Sequence, residues 1–456
     1  MLIRLIALLL LTCLIVPASG QTEAPRPNII WIMFDDLGYT DTGAYGETEI
    51  PTPNIDRLAV EGTRFLQAYS GAAMCAPARA VLMSGRHTGR TAVRDNFAED
   101  NFVIGLEDGL RGFMLDRTRT VPMVLKAAGY TTCLAGKWGI AEPGTPGVPT
   151  KKGFDEFRGI LNQRRADNHF PEVIWHNDDP YPLPLNREGQ RGQYAADEFT
   201  NYALSFIERK QDEPFFLYLA FCIPHDDFNL PDLAPFEDKP WSHQQKAYAR
   251  MIMDGDAHVG RIMALLDELE LADDTLIFLC SDNGSLARYE GVFDSAGEFK
   301  GRKYSFHEGG LRVPMIVRWP GKVPAGATSD AIWHFSDFLP TAKALSGSEF
   351  PVPGATGINV LPALLGQEQP ELEERYLYWE APNQYGDLNF KYAVRQGRWK
   401  GIHKNLEAEM ELYDLSTDVG ETNNVAAQHP EIVERFKAFM REAHQPSPFH
   451  FGPQGR

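Results

Sequence analysis

Ile29-Ile30-Trp31-Ile32-Met33-Phe34 runs without a break into Asp35-Asp36. A strand with one wet face would alternate apolar and polar residues, so six apolar residues in a row describe a strand covered on both faces. Three further runs share this form: Tyr130 to Leu134 leads to Gly136-Lys137, Phe215 to Ile223 ends at Pro224-His225, and Leu276 to Cys280 ends at Ser281-Asp282-Asn283-Gly284. Strands of this kind build parallel sheets sandwiched by helices, and such sheets bind ligands beyond the carboxyl ends of their strands. The polar ends are therefore expected to meet on one rim. Helical segments fall between the runs. Val259, Ile262, Met263 and Leu266 share one helical face, and Asn54 is expected to cap a short helix that Gly62 ends. The prediction is an α/β domain with a doubly wound, mixed but mostly parallel sheet, spanning residues 21–370.

After about residue 370 the pattern changes. Tyr376 to Trp379, Tyr392 to Arg395, Trp399 to His403 and Glu411 to Leu415 are short runs with aromatic and β-branched residues, and Gln396-Gly397 suits a hairpin turn. Ile432, Phe436, Phe439 and Met440 then mark one face of a last helix. Residues 371–456 are expected to form a smaller antiparallel sheet carrying that helix and packed on the main domain.

At the other end, Arg4, the apolar stretch from Leu5 to Val16 and the small residues Pro17-Ala18-Ser19-Gly20 read as a signal peptide over residues 1–20. The apolar core is short for a membrane span. Cys13 lies inside it and follows Thr12, a poor match to a lipoprotein anchor. An exported protein is expected, periplasmic or extracellular, with no membrane span. The formal net charge of −18 makes nucleic acid and anionic membranes poor partners. An anionic substrate has to be drawn in by local positive charge. Of the five cysteines, Cys133, Cys222 and Cys280 sit in apolar strand-like runs, so no disulfide framework is expected.

The remaining cysteine has a different setting. In Cys75-Ala76-Pro77-Ala78-Arg79 the proline fits the first turn of a helix that continues through Val81, Leu82 and Met83 to a stop at Ser84-Gly85. Cys75 then lies at the helix N-terminus, where free N–H groups favour an anion, and Arg79 shares its face. A lone cysteine is more often a packing residue, but proline and arginine at these spacings favour a site for negative charge.

These stretches stand in a telling order. Pro27-Asn28-Ile29 through Asp35-Asp36-Leu37-Gly38, Thr52-Pro53-Asn54-Ile55-Asp56, the cysteine motif, Gly136-Lys137-Trp138, Ser281-Asp282-Asn283-Gly284, Glu308-Gly309-Gly310 and Glu411-Leu412-Tyr413-Asp414-Leu415 together resemble the formylglycine-dependent (type I) sulfatases of the alkaline phosphatase superfamily. Within that family the Gly-Lys-Trp-Gly sequence resembles a branch of bacterial arylsulfatase-like and carbohydrate sulfatases. The resemblance implies the alkaline phosphatase-like fold with its smaller C-terminal sheet. It also implies a divalent cation at Asp35, Asp36, Asp282 and Asn283, usually Ca²⁺, and these hard oxygen donors suit Ca²⁺ or Mg²⁺ better than zinc.

It implies, further, that a formylglycine-generating enzyme oxidises Cys75 to formylglycine. The hydrated aldehyde then attacks the ester sulfur, and loss of a proton from its second hydroxyl expels sulfate. Lys137 and Lys303 match the sulfate-contacting lysines, His225 the histidine beside the leaving oxygen, and Arg79 the arginine that holds the diol and its helix. One departure stands out: Gly139 occupies the place where many relatives carry a histidine. His169, on the long polar loop after residue 139, is a candidate replacement. Arg164, Arg165, His169, Trp175, His176 and Arg191 of the same region could bind a sugar or form an ordinary polar loop.

The leading expectation is an exported sulfatase acting on a sulfated carbohydrate or another sulfate ester. The alternatives are a phosphonate or phosphate ester hydrolase on the same scaffold and a catalytically silent binder of sulfated glycan.

Overall fold

A computed structural model describes residues 26–96, 112–287, 291–382, 390–404 and 408–449. The leader segment 1–20 and its Cys13 lie outside the described residues. All four double-faced runs are strands, and they are neighbours at the centre of a ten-stranded sheet. From edge to edge the strands are Ala327–Ser329, Thr63–Phe65, Met315–Arg318, Thr275–Ser281, Asn28–Phe34, Phe215–Ala220, Thr131–Lys137, Glu156–Ile160, Val173–His176 and Asp179–Pro182. The central five from Thr275–Ser281 to Glu156–Ile160 run parallel. Antiparallel pairings enter on either side, at Met315–Arg318 and at Val173–His176.

Asn28–Phe34 explains why its sequence never alternates. Ile29, Trp31 and Met33 point into one core with the helices Cys75–Ser84, Val121–Ala127 and Phe338–Ser346. Ile30, Ile32 and Phe34 point into the other, with Pro53–Glu61, Ala195–Lys210 and His243–Glu268. Register aligns the carboxyl ends: Phe34 pairs with Ser281, Met33 with Ala220, and Gly136 with Ala220. The acidic and basic residues that follow are thereby delivered to one rim. Gly136 has φ +115 and a Cβ there would lie 1.9 Å from the Ala220 carbonyl oxygen, so the close approach of these strands requires glycine.

Local detail departs from expectation at Asn54. The helix is Pro53–Glu61 with Thr52 as its N-cap residue, and Asn54 lies inside the first turn. Asp256, from the facing helix, supplies the cap instead: its carboxylate accepts from the backbone N–H groups of Asn54 and Ile55 and from the Asn54 side chain at 2.8–2.9 Å. A long-range carboxylate has replaced the local amide.

Leu377–Pro382, Phe390–Gln396, Trp399–His403 and Glu411–Asp414 form the antiparallel C-terminal sheet in sequence order, with Gln396 paired to Trp399 across the expected hairpin. One face holds the helix Pro430–Ala443 through Ile432, Phe436 and Met440. Trp379, Ala393, Ile402 and Tyr413 on the other face pack with Tyr69, Ala73, Met74 and Leu311 of the main unit. Trp379 also donates its indole N–H to the Ser70 carbonyl at 2.8 Å.

Candidate active site

Cys75 opens the helix Cys75–Ser84, all ten residues of which are buried, with extended Met74 before it and left-handed Gly85 closing it through an N–H bond to the Val81 carbonyl. The Cys75 thiol is fully buried and donates to Asp35 Oδ1 at 3.2 Å, with Asp36 Oδ1 at 4.0 Å. Burial, with the charges of Asp282 and Asp35, pushes the thiol well above its ordinary pKa. Unmodified, it is a protonated thiol and a weak nucleophile.

Arg79, one turn on, is also fully buried. Its Nε and Nη2 donate to Asp282 Oδ2 at 3.0 and 2.8 Å, and its Nη1 donates to the Lys137 carbonyl at 2.8 Å. It therefore ties the Cys75–Ser84 helix to two strand ends. Lys137, the last residue of its strand, pairs with Asp35, and Lys303 donates to Asp36 Oδ2 at 2.7 Å. Two backbone bonds place Lys303: its own N–H reaches the Ser285 carbonyl, and that of Tyr304 reaches the Ala73 carbonyl just before the helix. His225 turns Nε2 toward Asp36 Oδ2 at 3.5 Å, while its Nδ1 faces Asp226 and Asp167 carboxylates at 3.1 and 3.6 Å. The structure thus brings together every residue singled out for catalysis.

The proposed cation ligands are all fully buried. Asp35, Asp36, Cys75 and His225 offer ligand atoms within 4.8 Å of one another. Asp282 is not in that group but borders Asp36, its Oδ1 accepting from the Asp36 N–H at 3.2 Å, and the Asn283 amide donates to Asp36 Oδ1 at 2.6 Å. Burial alone would raise the Asp35 carboxyl, but Lys137, His225, Arg79 and Lys303 outweigh it and hold Asp35 well below the usual carboxylate range. Burial and the neighbouring Asp35 charge instead push Asp282 up to about 6, against the pull of Arg79. Asn283 Oδ1 is buried and has no hydrogen-bond donor. A free amide oxygen beside three crowded carboxylates fits a hard divalent cation.

The stretches that carry these donors and charges fall inside regions that family models match. The Sulfatase family model matches residues 27–348, and the model for the C-terminal part of N-sulphoglucosamine sulphohydrolase matches residues 297–445. The chain belongs to the sulfatase family. It is a sulfuric ester hydrolase. N-acetylgalactosamine-6-sulfatase of Canis lupus familiaris is 33% identical, over 78% of this chain and 70% of its own length. Arylsulfatase A of Homo sapiens is 30% identical, over 96% and 91%. The crystal structure of Ps i-CgsB in complex with k-i-k-neocarrahexaose superposes with a TM-score of 0.81 at 28% identity, covering 94% of this chain and 96% of that one.

Other features of the sulfatase were less visible in its sequence. His169 is fully buried and its Nε2 meets the His225 carbonyl at 2.9 Å, so that nitrogen supports the histidine loop. Burial lowers its pKa to about 4, which keeps the ring neutral. Trp175 and His176 belong to an edge hairpin that the polar-loop reading missed, Trp175 packing against the core, while Arg164, Arg165 and Arg191 are exposed. Asp167 and Asp226 beside His225 were also missed; the Pro224-His225-Asp226-Asp227 run was the available signal. Cys133, Cys222 and Cys280 are buried free thiols, in agreement with the absence of a disulfide framework among the described residues. No helix among those residues is long and apolar enough to cross a membrane.

Proposed function

We propose that the enzyme removes sulfate from a sulfated carbohydrate, using Cys75 converted to formylglycine and a bound divalent cation. The observation that carries this reading is the placement of Cys75: it begins a buried helix with its thiol 3.2 Å from Asp35 and lies among the carboxylates paired with Lys137 and Lys303. The thiol is held protonated there, which suits a residue that acts only after modification. Formylglycine supplies a hydrated aldehyde as the oxygen nucleophile toward sulfur.

The chain's own groups account for the rest. Asp35, Asp36, Asp282 and Asn283 would hold Ca²⁺, with Mg²⁺ as the alternative, and the cation would screen the repulsion between an anionic ester and the acids around it. Without a cation, the carboxylates of Asp35, Asp36 and Asp282 balance the charges of Arg79, Lys137 and Lys303. A divalent ion leaves a positive surplus, which offers local attraction for a sulfate ester in a chain of net charge −18. Lys137 and Lys303 offset charge on the transferring group. His225 protonates the leaving oxygen from Nε2, its other face being held by Asp226 and Asp167. Arg79 fixes the helix that carries residue 75.

A carbohydrate substrate is supported by the name of the N-acetylgalactosamine-6-sulfatase relative, by the hexaose complex, and by the exposed arginines 164, 165 and 191. Export under the leader at residues 1–20, maturation by a formylglycine-generating enzyme, and a boundary at 370/371 between catalytic and C-terminal units complete the proposal. The test is sulfate release from defined sulfated mono- and oligosaccharides, alongside mass spectrometry of the peptide containing residue 75. The expected result is an aldehyde at residue 75 and sulfate release from at least one sugar ester. Fully matured enzyme that prefers the phosphate ester of the same alcohol would overturn the sulfate assignment.

A further inference from the structure

Asn283 Oδ1 and Gln163 Oε1 are both buried acceptors without a donor. The first belongs to the proposed cation set. The second belongs to a side chain only 5% exposed, just past the carboxyl end of Glu156–Ile160. Backbone bonds from Trp138 to the Ile160 carbonyl at 2.9 Å and from Gly139 to the Leu161 carbonyl at 3.1 Å zip this segment to the one following Lys137. Gly139 has φ +74, and a Cβ on it would lie 2.9 Å from Gln163 Oε1, 3.6 Å from Lys137 Cε and 3.7 Å from Arg79 Cδ. The glutamine oxygen therefore occupies the volume that a side chain at 139 would take, beside two cations of the nucleophile pocket.

Donor counting suggests why this oxygen has no partner. The Cys75 thiol carries one hydrogen, directed at Asp35 Oδ1. The hydrated aldehyde of the proposed function carries two hydroxyl hydrogens; Asp36 Oδ1, the other acceptor near Sγ, lies at 4.0 Å and already accepts from the Asn283 amide at 2.6 Å, so the second hydrogen calls for a further acceptor. A buried carbonyl oxygen left without a donor is costly, so Oε1 is poised to accept a hydrogen from a group the cysteine form lacks.

We propose that Gln163 Oε1 accepts a hydrogen bond from the second hydroxyl of matured residue 75 and orients it beside Lys137. This rests on the formylglycine reading above. The amide takes no proton and forms no bond to the substrate; it fixes which way the hydroxyl points.

The test compares matured wild type with Gln163→Leu and Gln163→Glu, together with a crystal structure of the matured wild type. In the crystal, Oε1 is expected within about 3.2 Å of an oxygen on residue 75. Gln163→Leu is expected to lower kcat on the order of tenfold, as for loss of one buried hydrogen bond, with KM, aldehyde content and melting temperature near wild type. Gln163→Glu keeps an acceptor, so it should recover much of the rate and add a pH-dependent limb that wild type lacks. An Oε1 beyond hydrogen-bond reach of residue 75, or a Leu variant with wild-type kcat, overturns the proposal. Matured wild type that hydrolyses no sulfate ester would sink the sulfate-ester reading instead, and the crystallographic distance would still judge Gln163.

Discussion

Replacing Lys303 with methionine separates two roles that its geometry combines. The ammonium lies 2.7 Å from Asp36 Oδ2, with both side chains at most 1% exposed, so methionine removes the charge while filling similar space. Deleting one partner of a buried pair costs about 3–5 kcal/mol, because Asp36 is left without its counter-charge. A bound divalent cation next to Asp36 would restore much of that balance. The variant should therefore be clearly less stable than wild type in chelator and recover toward wild type when Ca²⁺ is added, as followed by chemical denaturation. Catalysis should behave differently. A lysine that also meets growing charge on the sulfuryl group contributes about 10²–10³ in rate, by comparison with other lost oxyanion donors. Steady-state kinetics of matured Lys303→Met at saturating Ca²⁺ should thus show kcat reduced by about that factor. Full recovery of kcat by Ca²⁺ alone would refute the reasoning and leave Lys303 as a neutraliser of Asp36.

Three further outcomes are expected. His225→Ala should slow esters of sugar alcohols by about 10²–10⁴ but aryl sulfates with good leaving groups far less, and equal losses on both would remove His225 as the general acid. Lys400→Met should destabilise the fold by about 3–5 kcal/mol in denaturant titrations, because fully buried Lys400 contacts Glu308 at 2.7 Å and Glu421 at 3.0 Å; no loss would mean that Arg312, 3.3 Å from Glu308, suffices. Burial and the Glu308 charge raise Glu421 to about 7. A carboxyl raised on folding binds its proton more tightly in the native state, so its contribution is full below the unfolded value near 4.5 and declines as pH rises through 7. Glu421→Gln should therefore shrink the difference in stability between pH 5 and pH 8, by an amount on the order of 2 kcal/mol, and an unchanged difference counts against the assignment.

The central sheet was legible because both-face burial leaves an unmistakable mark on sequence: Ile29 to Phe34 could not alternate without exposing one core. The Cys75–Ser84 helix was legible for a local reason, since Pro77 and Gly85 punctuate it within a single turn of each end. What escaped depends on residues distant in the chain. Asn54 resembles a cap until Asp256, some two hundred positions away, takes both neighbouring amides. Gln163 is an ordinary glutamine in a polar run, and only the zipped segments at 138–139 and 160–161 bring its oxygen to the pocket. His169 drew attention for its chemistry, yet its buried ring braces the His225 carbonyl. The edge hairpin at Val173–His176 and Asp179–Pro182 was hidden because its residues are mostly exposed or half-buried and carry no apolar signature.

The tryptophan bond from Trp379 to Ser70, and the contact of its sheet with Ala73 and Met74, make the C-terminal sheet a footing for the first residue of the Cys75–Ser84 helix. A stop codon placed after the main sheet would spare all the side chains assigned to chemistry and still unseat residue 75. Shortened versions of this enzyme should fail as catalysts for want of a foundation, and no transplant of the motif alone onto a bare α/β core would carry the activity with it.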